Sequence, residues 1–131
     1  MPKAVSIDKS LAGLPVLKGR TPHTAPADMA PVFATLADTG KTGVFAGSFE
    51  GESAWERHRN GDELVQILAG SATVSILTSE GRVDLDMSAG MVTIVPQGCW
   101  HKFLSTDGVT VMTMTPQPTD HSTLDDPSQE D

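Results

Sequence analysis

Residues 51–70 read GESAWERHRNGDELVQILAG, and residues 90–101 read GMVTIVPQGCWH. Residues two apart on a β-strand share a face. Ala54, Glu56 and His58 therefore point one way, and Trp55, Arg57 and Arg59 the other. Asn60-Gly61 is a strong turn dipeptide, so the chain reverses there and Glu63 returns beside His58. Glu63, Val65 and Ile67 then continue on the inward face. In the second stretch Pro96 and Gly98 mark a turn, after which Cys99, His101 and Phe103 share a face. Two inward-facing sets rich in His and Glu thus meet where a curled sheet opens, a place suited to holding a ligand.

Outward from these stretches the texture stays the same. Residues 32–36, 42–46, 63–68, 72–77, 83–85, 91–95 and 109–114 are short runs rich in Val, Ile and Thr, which fit a pleated, half-buried surface. Thr39-Gly40, Asn60-Gly61, Ala69-Gly70, Glu80-Gly81, Ala89-Gly90 and Asp107-Gly108 punctuate them as turns. No long segment sustains a 3.6-residue period. The pattern predicts an all-β sandwich or barrel over residues 32–115. Residues 1–31, broken by Pro2, Pro15, Pro22, Pro26 and Pro31, read as an irregular N-terminal arm. Residues 116–131 hold Asp120, Asp125, Asp126, Glu130 and Asp131 without Lys or Arg, and read as an acidic tail, mobile apart from a contact at Leu124.

The two stretches resemble the two motifs of the cupins. The first cupin motif runs His-x-His, three or four residues, Glu, six residues, Gly. Here Glu63 precedes Gly70 by six intervening residues, His58 fills the second-histidine slot, and the first falls on Glu56. The second motif matches as Gly90-(x5)-Pro96-x-Gly98-(x2)-His101, although the Asn often found four residues later is Ser105. The resemblance implies a jelly-roll (double-stranded β-helix) cupin barrel with a metal site built from Glu56, His58, Glu63 and His101. Its cofactor is then a divalent transition metal such as Fe, Mn, Zn or Ni, for which imidazole and carboxylate are suitable ligands.

Glu56 stands where the family usually has His. Two readings stay open: Glu56 is a direct ligand, or it orients an imidazole and leaves His58, Glu63 and His101 as a two-histidine, one-carboxylate triad. A third possibility is a barrel without metal, its carboxylates paired with Arg57 or Arg59. Asp62 reads as a solvated turn residue. Cys99, Phe103, Val65 and Ile67 are the candidate pocket wall. His23 and His121 read as solvated, Trp55 and Trp100 as outward-facing, and Met91, Met112 and Met114 as core filler.

A net charge of −8, with nine scattered basic residues, argues against nucleic-acid binding. One cysteine allows no intrachain disulfide, and no apolar stretch approaches the roughly 20 residues of a membrane helix. The expectation is a cytoplasmic protein with a small-molecule ligand and no membrane partner. The resemblance adds homodimerisation, with the arm as a candidate contact. It also implies a metal-binding cupin with dioxygenase- or isomerase-like activity, in which Glu63 or Glu56 serves as a general base if one of them is free of the metal. The alternative is a non-catalytic ligand-binding or structural module with a vestigial site.

Overall fold

The computed structural model describes residues 2–129 of the chain. Its elements in order are α1 (Ile7–Leu11), β1 (Leu17–Arg20), α2 (Pro26–Met29), a 3-10 turn (Ala30–Val32), β2 (Phe33–Asp38), β3 (Thr42–Glu52), β4 (Trp55–His58), β5 (Glu63–Thr78), β6 (Gly81–Ser88), β7 (Val92–Val95), β8 (His101–Pro116), β9 (Thr119–Ser122) and a 3-10 turn (Pro127–Gln129). The nine strands form a single curled sheet, all-β as strand composition and turn spacing predict and in keeping with the jelly-roll barrel that the resemblance implies. Among the described residues, no helix is long and apolar enough to cross a membrane.

β8 is the spine. It runs antiparallel to β3 on one side, from Thr42↔Pro116 to Glu52↔Leu104. On the other side it runs antiparallel to β5, from Leu64↔Met114 to Ile76↔His101. β5 also carries β7 on its first half and β6 on its second. β4 joins β8 at Glu56↔His101.

Two expected turns prove to be bends inside continuous strands. Ala69-Gly70 lies within β5 and Asp107-Gly108 within β8, and the ladder between them shifts register on both sides of that point. A side chain at Gly70, whose φ is +72°, would place its Cβ 2.2 Å from the Gly108 carbonyl oxygen. The two glycines let the long strands cross closely and turn from one wall to the next, which is how bulges curve a sheet.

Inward-facing alternate residues fill the barrel. Phe49, Val65, Ile67, Val74, Val95, Phe103 and Val111 belong to one buried cluster. Trp55 and Trp100 are buried rather than left outward for a subunit contact. Arg82 and Lys102 lie over the Trp55 ring, and the Arg57 guanidinium carbon is 4.4 Å from the Trp100 ring centroid.

Arm and tail are both built into the sheet. β1 runs parallel to β3 with Arg20 opposite Gly51. Gly51 has φ +113°, and a Cβ there would meet the Arg20 carbonyl oxygen at 2.2 Å, so only glycine admits β1 this close. β9 pairs with β4 from Trp55↔Ser122 to His58↔Thr119. Asp120 of β9 accepts hydrogen bonds from Arg57 Nε at 3.2 Å and Arg59 Nε at 2.5 Å. These ties, not Leu124, hold the tail: Leu124 is exposed while Pro127 is fully buried. Glu130 and Asp131 lie outside the described residues.

Candidate metal centre

Three strand termini meet at one end of the barrel: His58 closes β4, Glu63 opens β5 and His101 opens β8. The turn at residues 59–62 swings Glu63 back to His58, as the Asn60-Gly61 dipeptide predicts. One ligand atom from each of the three side chains lies within 4.8 Å of the others. His58 Nε2 is 3.2 Å from Glu63 Oε2, and His101 Nε2 is 2.9 Å from Glu63 Oε1. All three residues are at least 96% buried.

These contacts are short but badly directed for hydrogen bonding. His58 Nε2, Glu63 Oε1, His101 Nδ1 and His101 Nε2 are buried atoms with no hydrogen-bond partner. Buried polar atoms are rarely left so, because each forfeits its hydration. Several of them on converging imidazoles and a carboxylate are what a cation-binding site presents. The donor set fits a divalent transition ion.

Neighbouring hydroxyls hold two of the three groups. Thr115 Oγ1 donates to Glu63 Oε2 at 2.6 Å, and Thr113 and Thr115 exchange a hydroxyl contact at 2.8 Å. Thr119 Oγ1 lies 3.1 Å from His58 Nδ1. In the tautomer whose Nδ1–H donates to Thr119, His58 Nε2 carries the lone pair that a metal ligand needs. Burial pushes the Glu63 carboxyl up, but the His101 and His58 imidazoles beside it more than reverse this and hold it at about 2. Burial pulls His101 down, and the Glu63 carboxylate outweighs it and raises the imidazole. Glu63 is therefore a carboxylate at neutral pH, ready to accept a cation.

Glu56 lies directly across the ladder from His101 and lines the same cavity as Glu63. It is not one of the convergent three, and the His121 imidazole lies beside it, with Nε2 3.8 Å from Glu56 Oε2. The cavity holds about 320 Å³, and Phe103 is part of its wall. Val65 and Ile67, expected in that wall, are fully buried in the core below it. They face inward as the alternation requires, but deeper along β5, where Phe49, Phe103 and Val111 close the barrel. Cys99 also packs against the core instead of the cavity, and burial pushes its thiol up, with Asp62 adding to the effect.

Several residues that build the site came from segments read as arm or tail. Arg20 of the arm and Thr119 and His121 of the tail line the cavity together with Phe33, Phe45 and Thr115 of the barrel. No local signal marks Arg20, one of nine scattered cations. Thr113 does carry a signal, since it lies in the run 109–114 that reads as a strand, and Thr115, two residues on and just past that run, faces the same way.

No protein-family model matches the chain, and no curated protein matches it. Solved structures do. A cupin-2 domain containing protein from Shewanella frigidimarina aligns at 24% identity over 65% of this chain and 79% of that one, with a TM-score of 0.51. A hydroquinone 1,2-dioxygenase, in complex with Cd2+ and 4-hydroxybenzonitrile, aligns at 16% identity over 64% of this chain and 63% of its own, with a TM-score of 0.55. Oxalate decarboxylase of Bacillus subtilis, a protein with Mn(II) centres, aligns at 14% identity with a TM-score of 0.59, over 68% of this chain and 26% of its own. Strand order, a His-Glu-His cluster at the barrel mouth and these likenesses agree: the chain folds as a small cupin barrel.

Proposed function

We propose that this barrel is a divalent-metal-dependent enzyme acting on a small molecule, with His58, Glu63 and His101 holding the metal. One observation carries the reading: two imidazoles and a carboxylate, all buried, converge with unsatisfied atoms, and the carboxylate, Glu63, also lines the cavity. A triad of this type leaves coordination positions open, which favours dioxygenase chemistry, with isomerisation as the other possibility. When bound, a divalent transition ion supplies Lewis acidity or, if redox-active, a route for electrons between substrate and dioxygen. The metals named for the dioxygenase and the decarboxylase of similar fold support a divalent cofactor without fixing its identity.

Within this reading the protein's own groups divide the work. Thr115 and Thr119 hold Glu63 and His58 in place. Glu56, lining the cavity but outside the triad, is the carboxylate free to take or return a substrate proton, with His121 beside it to exchange that proton with solvent. Glu63, as a ligand, is not available for that role. The test is oxygen uptake by metal-loaded protein with hydroquinone, catechol, thiol and diketone substrates. Turnover that falls at least about 100-fold in Glu56→Gln with metal content unchanged supports the assignment. A metal-loaded protein that binds such molecules without consuming them or isomerising them would instead be a binding module.

The small-molecule partner follows from the cavity, and we place the homodimer contact on the outer sheet face. Val44, Met114, Leu64 and Ile94 are successive cross-strand neighbours over β3, β8, β5 and β7, with exposed Val92 beside them. None of these carries charge. Two copies, each with a net charge of −8, approach with least repulsion through such a face. Sedimentation at micromolar concentration should show a dimer that Ile94→Lys converts to monomer, and a monomeric wild type would refute this placement.

A further inference from the structure

The cavity holds a cation that the metal reading does not use. Arg20, the last residue of β1, is 92% buried and lines the same cavity as Glu63. Its guanidinium carbon sits 4.6 Å from the Phe49 ring centroid and 5.8 Å from that of Phe33. Its Nε is buried with no hydrogen-bond partner, and no ion pair to Arg20 is made among the described residues. The Glu56 carboxylate acts on it electrostatically but makes no ion pair with it, its contact being to His121.

A guanidinium keeps its charge in proteins and carries five donors in a planar fork. Burying it without an acceptor is costly, and two aromatic faces repay part of that through cation–π attraction. They do not satisfy the N–H groups. The two rings flank the guanidinium carbon, and because Arg20 lines the cavity its remaining N–H groups are available to an acceptor bound there. The acceptor that matches such a fork with two parallel hydrogen bonds is a carboxylate. The rest of the wall near it is apolar, from Met29, Phe33, Phe45 and Phe103. At about 320 Å³ the space is at the small end of the roughly 300–1,000 Å³ typical of ligand pockets.

We infer that the ligand is a small monocarboxylate with an apolar body, its carboxylate gripped by Arg20 and its body set against Phe33, Phe45 and Phe103 in the cavity that Glu63 of the triad lines. This rests on the proposed metal site only for which end of the ligand reacts; the anion grip stands on Arg20 itself. β1 therefore belongs to the binding machinery, and the close approach at Gly51 is what delivers Arg20 to the cavity.

Calorimetric titration of the full chain tests this, with benzoate, phenylacetate and hexanoate as probes against their primary amides, on metal-free and metal-loaded protein. The wild type should bind the carboxylates at least tenfold more tightly than the matching amides. Arg20→Gln should lose that preference while Arg20→Lys retains part of it, and metal content should be unchanged in both. Carboxylates binding no better than amides in the wild type would overturn the inference, a result that needs no variant to fold. So would a preference that persists in folded Arg20→Gln. Failure to load metal with the carboxylate preference intact would refute the metal reading and leave this one standing.

Discussion

Thr115 and Thr119 show how much of the proposed metal centre depends on side chains outside its three convergent groups. Each contacts one of the three convergent groups, and each comes from a part of the chain distant in sequence from Glu63 and His58. Replacing Thr115 or Thr119 with Val keeps the shape and removes the hydroxyl. Each change should weaken divalent-metal affinity about 10- to 100-fold by competition titration while the folded circular-dichroism spectrum is retained. Unchanged affinity would mean that these hydroxyls orient nothing. At this scale the sequence was readable where chemistry and spacing coincide. His58, Glu63 and His101 were legible because turn residues and two-residue alternation place them together. Arg20 was not, because nothing local distinguishes a buried arginine from a solvated one; the packing of β1 on β3 decides it.

Whole elements carry a second lesson, in which proline and charge mislead. The prolines of residues 1–31 and the acidic residues after Pro116 read as arm and tail, yet β1 and β9 both join the sheet. Short strands leave weak alternation, and their pairing is fixed by the long strands they dock on. Asp120 secures β9 to the two arginines of β4 and its following turn. The Arg59 guanidinium, with Arg57 behind it, holds the Asp120 carboxyl below the usual aspartate range. A depressed folded value means that the contribution is present above the unfolded value of about 3.9 and is lost as pH falls through the folded value. The melting-temperature difference between wild type and Asp120→Asn should therefore be steady near neutrality and shrink as acid is approached. A difference that grows in acid would have the wrong sign. Ala69-Gly70 and Asp107-Gly108 are the converse case: the dipeptides looked like hairpin turns because a bulge glycine and a turn glycine need the same positive φ.

For the molecule as a whole, the unsatisfied triad is a stability liability that a cation, on the reading proposed above, removes. Metal that binds the folded barrel and not the unfolded chain should add about 2.7 kcal/mol at a hundredfold excess over its Kd. For a domain of this size that is a rise in melting temperature of roughly 10 °C. A chelator should reverse it, and His101→Ala should show no such rise. The fold itself was legible early, because strand composition, turn spacing and two ordered motifs all agreed on one barrel. The carboxylate-rich character of the site was legible as well, from Glu56 in a slot where the resemblance places His. The choice between Glu56 as a fourth ligand and a triad without it was left open, since Glu56 shares a face with His58 on β4; in three dimensions the convergent group is His58, Glu63 and His101.

Metal content of protein purified without added metal tests the central claim most directly, measured by elemental mass spectrometry on wild type, His101→Ala and Glu56→Ala. The predicted result is close to one equivalent of a divalent transition metal in the wild type, retained in Glu56→Ala and lost in His101→Ala. A folded wild type that holds no metal, even after incubation with Fe, Mn, Zn and Ni salts, would contradict it.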